Sequence, residues 1–142
     1  MKTVQHVLHA KSGSVLSIPP DATVYDALVL MARHDVGALV VTDPDHIAGM
    51  FSERDYARKV ILLGKSSRDL LVADVMTRQV LTVTLHCTIE DCMAIMTDHR
   101  VRHLPVVDGS GVIGIVSIGD VVKAMLDDQR FTIRQLEHYI AT

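Results

Sequence analysis

A gapless internal repeat constrains this chain more than any other feature. Residues 15–60 align onto residues 80–125 at a constant offset of 65, and thirteen of the 46 pairs are identical. Identical pairs include Thr23/Thr88, Asp26/Asp91, Met31/Met96, Gly49/Gly114, Ser52/Ser117 and Asp55/Asp120. Many others exchange one apolar residue for another, as in Ile18/Val83, Val24/Ile89, Leu28/Met93 and Ile47/Val112. A repeat without insertions preserves every hydrophobic period, so both halves are expected to fold alike. Two such units suggest a pseudo-twofold pair with related clefts, one per half.

Composition narrows the function classes. The 142 residues are 49% hydrophobic with only 4% aromatic and no Trp, which predicts an aliphatic core of Val, Ile, Leu and Met. The positive mean hydropathy argues against disorder. A net charge of −3 argues against nucleic-acid binding by bulk electrostatics. No apolar run approaches the roughly 20 residues of a membrane span, and no signal-peptide pattern opens the chain. Cys87 and Cys92 lack CxxC spacing and a disulfide framework, so the expectation is reduced thiols in a cytoplasmic protein.

Each repeat reads strand, helix, strand, strand, helix. In the first, residues 15–18 form a strand that Pro19-Pro20-Asp21 breaks, and Thr23 opens a helix with Val24, Ala27, Leu28 and Met31 at helical spacing. Residues 35–37 end it. Residues 38–42 and 47–51 read as strands joined by a turn at Pro44-Asp45, and Ser52 opens a helix closed by Gly64. The second repeat copies this plan at 80–83, 88–99, 104–107, 112–116 and 117–126, with Asp108-Gly109-Ser110-Gly111 as its hairpin turn. The predicted domain map is an N-terminal extension with a short helix (1–14), repeat 1 (15–64), a linker with a helix around 69–76 (65–79), repeat 2 (80–127) and a C-terminal helix (128–142). The two terminal helices are expected to cover the repeats or to reach a second subunit.

The segments Gly49-Met50-Phe51-Ser52-Glu53-Arg54-Asp55 and Gly114-Ile115-Val116-Ser117-Ile118-Gly119-Asp120, with Asp74-Val75-Met76-Thr77 and Val101-Arg102-His103-Leu104-Pro105-Val106, carry a family resemblance. The chain resembles a tandem cystathionine β-synthase (CBS) domain pair, or Bateman module, and is similar to stand-alone bacterial CBS-pair proteins of signal transduction. The resemblance implies an α/β (α+β) fold in which two pseudo-twofold-related β-α-β-β-α CBS repeats pack as one module. It also implies a non-catalytic regulatory sensor binding AMP, ADP, ATP, NAD or S-adenosylmethionine in clefts between the repeats. By that resemblance Asp55 and Asp120 hold ribose hydroxyls, and Ser52 and Ser117 lie near phosphate. Backbone near Ile18 and Ala38, and near Val83 and His103, frames the base. A homodimer through helices of both repeats and a separate regulated protein are the implied partners.

The residues themselves leave an alternative open at each site. A carboxylate accepts two hydrogen bonds from a cis-diol, but Ser-x-x-Asp is also a helix capping box. Thr23/Asp26, Thr88/Asp91 and Ser66/Asp69 fit the same template and are read as caps. Basic residues divide unequally: Arg54, Arg58 and Lys59 in repeat 1 stand opposite Gly119, Lys123 and Ala124, while Arg100, Arg102 and His103 stand opposite Asp35, Gly37 and Ala38. Arg54 with Arg102 or His103 would suit a phosphate, so one cleft should bind a phosphorylated nucleotide better than the other. The eight histidines show no HxH or HExxH spacing, so no metal site is expected, and His34 and His99 complement helix C-termini. No P-loop or nucleophile elbow is present. The competing readings are a structural homodimeric scaffold with vestigial clefts and, third, a nucleotide-processing enzyme.

Overall fold

A computed structural model describes residues 2–11, 15–44 and 46–141. The chain divides into two compact units: residues 14–81, here the Asp55 unit, and residues 1–13 with 82–142, the Asp120 unit. No helix among the described residues is long and apolar enough to cross a membrane.

In the Asp55 unit, β1 (Ser17–Ile18) pairs in parallel with β2 (Ala38–Asp43), which pairs antiparallel with β3 (His46–Ser52). The predicted turn at Pro44-Asp45 falls partly on Asp45, which lies outside the described residues. α2 (Val24–His34) starts where Thr23 Oγ accepts the Asp26 N–H at 3.1 Å, and it ends with Asp35 in the left-handed region at φ 52°. The left-handed position is therefore Asp35 rather than Gly37; its short polar side chain tolerates it. After β3 come α3 (Glu53–Tyr56) and a π-helical turn, Ala57–Ile61, in place of one regular helix. α4 (Val72–Val75) completes the unit. Ile18, Val24, Met31, Leu39, Val41, Phe51, Val60, Val72 and Met76 form its core, each large side chain contributing about 1.5–3 kcal/mol by leaving water.

The Asp120 unit is built on α5 (Ile89–His99), β4 (His103–Asp108), β5 (Gly111–Ser117) and α6 (Ile118–Ala141), with α1 (Val4–Ala10) against them. Both hairpins carry a bulge at equivalent positions, Val41/Thr42 and Val106/Val107. The expected strand at 80–83 is reduced to a bridge between Val83 and Val106. The cause is Pro105. Its repeat equivalent Val40 donates its N–H to Leu16 O at 3.3 Å, a bond that proline cannot make. Only Val83 N–H to Pro105 O (3.0 Å) and Val107 N–H to Val83 O (2.9 Å) remain.

The two terminal segments differ from each other. The helices expected at 117–126 and in the C-terminal segment are one helix, α6, of 24 residues, because residues 127–132 contain neither Gly nor Pro. The N-terminal helix α1 is part of a core: Val4 is fully buried and Val7 nearly so, beside Ile89, Met96, Leu104, Val116 and Val121. Its attachment copies that of α4. Val4 N–H donates to Cys87 O at 2.9 Å as Val72 N–H donates to Ala22 O at 2.8 Å, and Ile89 N–H donates to Lys2 O as Val24 N–H donates to Leu70 O. Each unit is thus closed by the segment that precedes the other repeat in sequence.

Candidate functional site

The Ser-x-x-Asp segments sit where the last strand of each hairpin turns into a helix. Ser52 pairs with Ala38 across β2 and β3, and Ser117 pairs with His103 across β4 and β5. Each hairpin therefore brings its predicted residues together: Ala38, Ser52 and Asp55 in one unit, His103, Ser117 and Asp120 in the other. Ile18 ends β1, which pairs in parallel with β2, and Val83 bridges β4. Arg54 is exposed on α3 in the Asp55 unit, whereas Arg102 and His103 belong to the Asp120 unit.

Asp55 is the buried charged residue among the described residues, with 8% exposure. Its Oδ2 accepts the Ser52 N–H at 3.0 Å and the Ser52 hydroxyl at 3.1 Å. Oδ1 accepts the Thr77 hydroxyl at 3.0 Å and the Lys59 ammonium at 3.0 Å. A carboxylate has about four lone-pair directions, and protein donors occupy all of them. Lys59 also donates to Val75 O at 3.0 Å, tying the helix to α4. The Asp55 N–H returns to Ser52 Oγ at 3.2 Å, which completes a capping box.

Asp120 is arranged differently. Its Oδ2 accepts the Ser117 N–H at 2.9 Å and the Lys11 ammonium at 2.8 Å, while Lys11 also donates to Ile115 O at 2.9 Å. Its N–H donates to Ser117 Oγ at 3.1 Å. Burial pushes the Asp120 carboxyl up, but the Lys11 hydrogen bond, the Ser117 backbone bond and the Lys11 charge outweigh it, so its pKa lies below the ordinary value. The repeat equivalent of Lys59 is Ala124. The cation that repeat 1 carries on its own helix is therefore supplied in the other unit by Lys11, beyond the end of α1.

Helix-start N–H groups are less available than the sequence suggests. Glu53 N–H donates to Gly37 O at 3.0 Å and Ile118 N–H to Arg102 O at 2.8 Å, and the Asp55 and Asp120 N–H groups are capped. Among the other template matches, Thr88 and Asp91 form a full capping box. Thr23 caps α2, and Ser66 sits in a turn accepting the Arg68 N–H at 3.3 Å. Both cysteines are free thiols, and burial pushes Cys92 up to about 11, with Cys87 and Asp91 adding to the shift. The sequence did not reveal the roles of three site residues, of which Lys59 was counted only as a basic residue of repeat 1. Lys59 carries a readable signal, the i,i+4 pairing with Asp55. Thr77 lay within a quoted motif without a role. Nothing local marks Lys11.

The CBS-domain family pattern matches residues 8–61 and 72–127. The chain is 44% identical over 147 residues to the mitochondrial CBS domain-containing protein CBSX3 of Arabidopsis thaliana, spanning 97% of this chain and 71% of that one. A solved structure of a protein with CBS domains from Burkholderia ambifaria MC40-6, named for signal transduction, is 46% identical, with a TM-score of 0.86 over 90% of this chain and 96% of that one. A CBS-domain-containing protein from Agrobacterium tumefaciens is 37% identical, with a TM-score of 0.82 over 87% and 99% of the two chains.

Proposed function

The chain belongs to the CBS-domain family, with two such domains in tandem, and from that premise we propose that it is a non-catalytic regulatory sensor of adenine nucleotides or related adenosyl ligands. Candidate ligands are AMP, ADP, ATP, NAD and S-adenosylmethionine. The observation that carries this reading is the Asp120 carboxylate: Ser117 and Lys11 anchor it at Oδ2, and its side chain is 23% exposed against 10% for Asp55, whose two oxygens take four protein donors. A ribose cis-diol donates to this carboxylate, and the Lys11 ammonium beside it favours an anionic phosphate. Backbone beside Val83 and His103 reads the adenine edge. Ligand binding shifts the population of conformers, or of complexes with a regulated protein, only by its differential affinity for them.

The two sites are unequal in this reading. At Asp55, with Ile18, Ala38, Ser52 and Arg54 around it, a diol has to displace Lys59 or Thr77 from a carboxylate that is already satisfied. Asp55 therefore serves mainly as a structural cap, and the Asp120 site is the tighter one. Self-association through helices of the repeats belongs to the same proposal. Ile61, Leu62 and Leu63, at 54%, 76% and 60% exposure, support it as apolar surface beside the π turn.

A thermal-shift screen against AMP, ADP, ATP, NAD, NADP and S-adenosylmethionine tests the ligand. Free ligand at 100 times its Kd stabilises by about 2.7 kcal/mol, a rise of several degrees for a domain this size. Asp120→Ala is expected to abolish the rise. Asp55→Ala is expected to lower the starting Tm while keeping most of it. A screen with no response leaves the scaffold reading in its place, and equal nucleotide affinity at both sites in calorimetry refutes the inequality.

A further inference from the structure

Lys11 is the first residue past α1, and its ammonium makes two bonds at once in the Asp120 unit. It donates to Asp120 Oδ2 at 2.8 Å and to Ile115 O at 2.9 Å. In the Asp55 unit the equivalent acceptors are served by two residues: Thr77 N–H donates to Met50 O at 2.8 Å, and Lys59 pairs with Asp55 at 3.0 Å. Lys59 stands one helical turn from Asp55, so that cation stays in place as long as its helix is folded. Lys11 instead arrives with α1, a helix of seven residues. Val4 and Val7 fix α1 in the core, and the bonds from Val4 N–H to Cys87 O and from Ile89 N–H to Lys2 O fix its start. A short segment with so few anchors opens at lower free energy than the core it closes. An ammonium has three N–H donors, and the Lys11 side chain is 42% exposed, so an anion arriving from solvent reaches it.

We propose that Lys11 is the specificity-determining residue of the Asp120 site, selecting ligands that carry a phosphate, and that occupancy of the site and docking of α1 therefore stabilise one another. This rests on the adenosyl-ligand reading of that site. A ribose bonded to the carboxylate carries its phosphate into reach of an ammonium 2.8 Å from the same carboxylate. A hydrogen bond between two ions is about twice as strong as one between neutral groups. A nucleoside without phosphate lacks that charge, and the sulfonium of S-adenosylmethionine brings a positive charge towards another. When α1 leaves, the ammonium leaves with it, so a phosphorylated ligand binds the docked state more tightly than the open one. The coupling is reciprocal: the factor by which docked Lys11 tightens the ligand is the factor by which the ligand tightens α1. No such coupling is expected at Asp55, whose cation shares its own helical segment.

Calorimetric titration of the full chain with AMP and with adenosine, paired with amide hydrogen exchange at Val4 and Val7, tests it. In the parent chain, saturating AMP is expected to slow exchange at both amides about tenfold, and adenosine to leave it nearly unchanged. Lys11→Met keeps the apolar stem and removes the charge. It is expected to weaken AMP about tenfold, to leave adenosine within about twofold, and to abolish the effect of AMP on α1. Lys11→Arg keeps the charge and is expected to keep the preference for AMP. AMP binding that Lys11→Met does not weaken, or α1 exchange that bound AMP does not slow, overturns the inference and leaves the ligand reading standing. Failure of AMP and adenosine alike to bind the parent chain overturns that reading, and this inference with it. A retained CD spectrum in Lys11→Met separates lost affinity from lost folding.

Discussion

At the scale of the residue, the two repeat-equivalent aspartates show how far identical local sequence can diverge in chemistry. Ser52-x-x-Asp55 and Ser117-x-x-Asp120 cap their helices in the same way, and that much is legible from spacing alone. What differs is the cation, Lys59 one helical turn on in one unit and Lys11 from the far end of the chain in the other. The lowered pKa of Asp120 has a consequence for stability. A carboxylate held below its unfolded value contributes stability that is complete above that value, roughly 3.9, and is lost as pH falls through the folded pKa. Asp120→Asn should therefore lower stability at neutral pH and flatten its fall in acid. Urea unfolding between about pH 6 and pH 3 measures this, and an acid limb as steep as that of the parent chain would refute it.

At the scale of the element, backbone approach separates two glycines that the repeat makes equivalent. A Cβ on Gly49 would stand 2.6 Å from Thr77 O and 2.8 Å from Met76 Sδ, whereas on Gly114 it would meet the flexible side chain of Leu8 at 2.8 Å. Gly49→Ala must move the backbone that delivers Thr77 to Asp55, since Met50 and Thr77 exchange N–H···O bonds of 2.9 and 2.8 Å. It is expected to cost about 1–3 kcal/mol, with Gly114→Ala at or below the lower end because Leu8 can change rotamer. Chemical denaturation of the two variants decides it, and equal costs would contradict the geometry. Most elements were readable from period and caps, since helix and strand signals lie within a few residues of one another. The exceptions have local causes that only pairing exposes. Pro105 suppresses a strand it does not belong to, and α6 continues past residue 127 because nothing there stops it.

At the scale of the whole molecule, closure by exchanged segments predicts a local failure on truncation. Removing residues 1–11 deletes Val4 and Val7 from a core and Lys11 from Asp120. Amide hydrogen exchange should then show protection lost across α5, β4 and β5 while β2 and β3 keep theirs. Uniform protection throughout would show that α1 is dispensable. The amino-acid sequence by itself determined the duplication, the caps, the turns, the alternation of helix and strand, and the family, because each depends on residues a few positions apart or on a fixed offset. Only the tertiary structure decided that the N-terminal helix closes the second repeat, that Asp55 is saturated by Lys59 and Thr77, and that Lys11 reaches Asp120. The Lys11–Asp120 bond joins residues 109 positions apart. No local period or propensity encodes such a contact. It exists because α1 finds its apolar face buried by Ile89, Leu104 and Val116, and the lysine at its end is carried along.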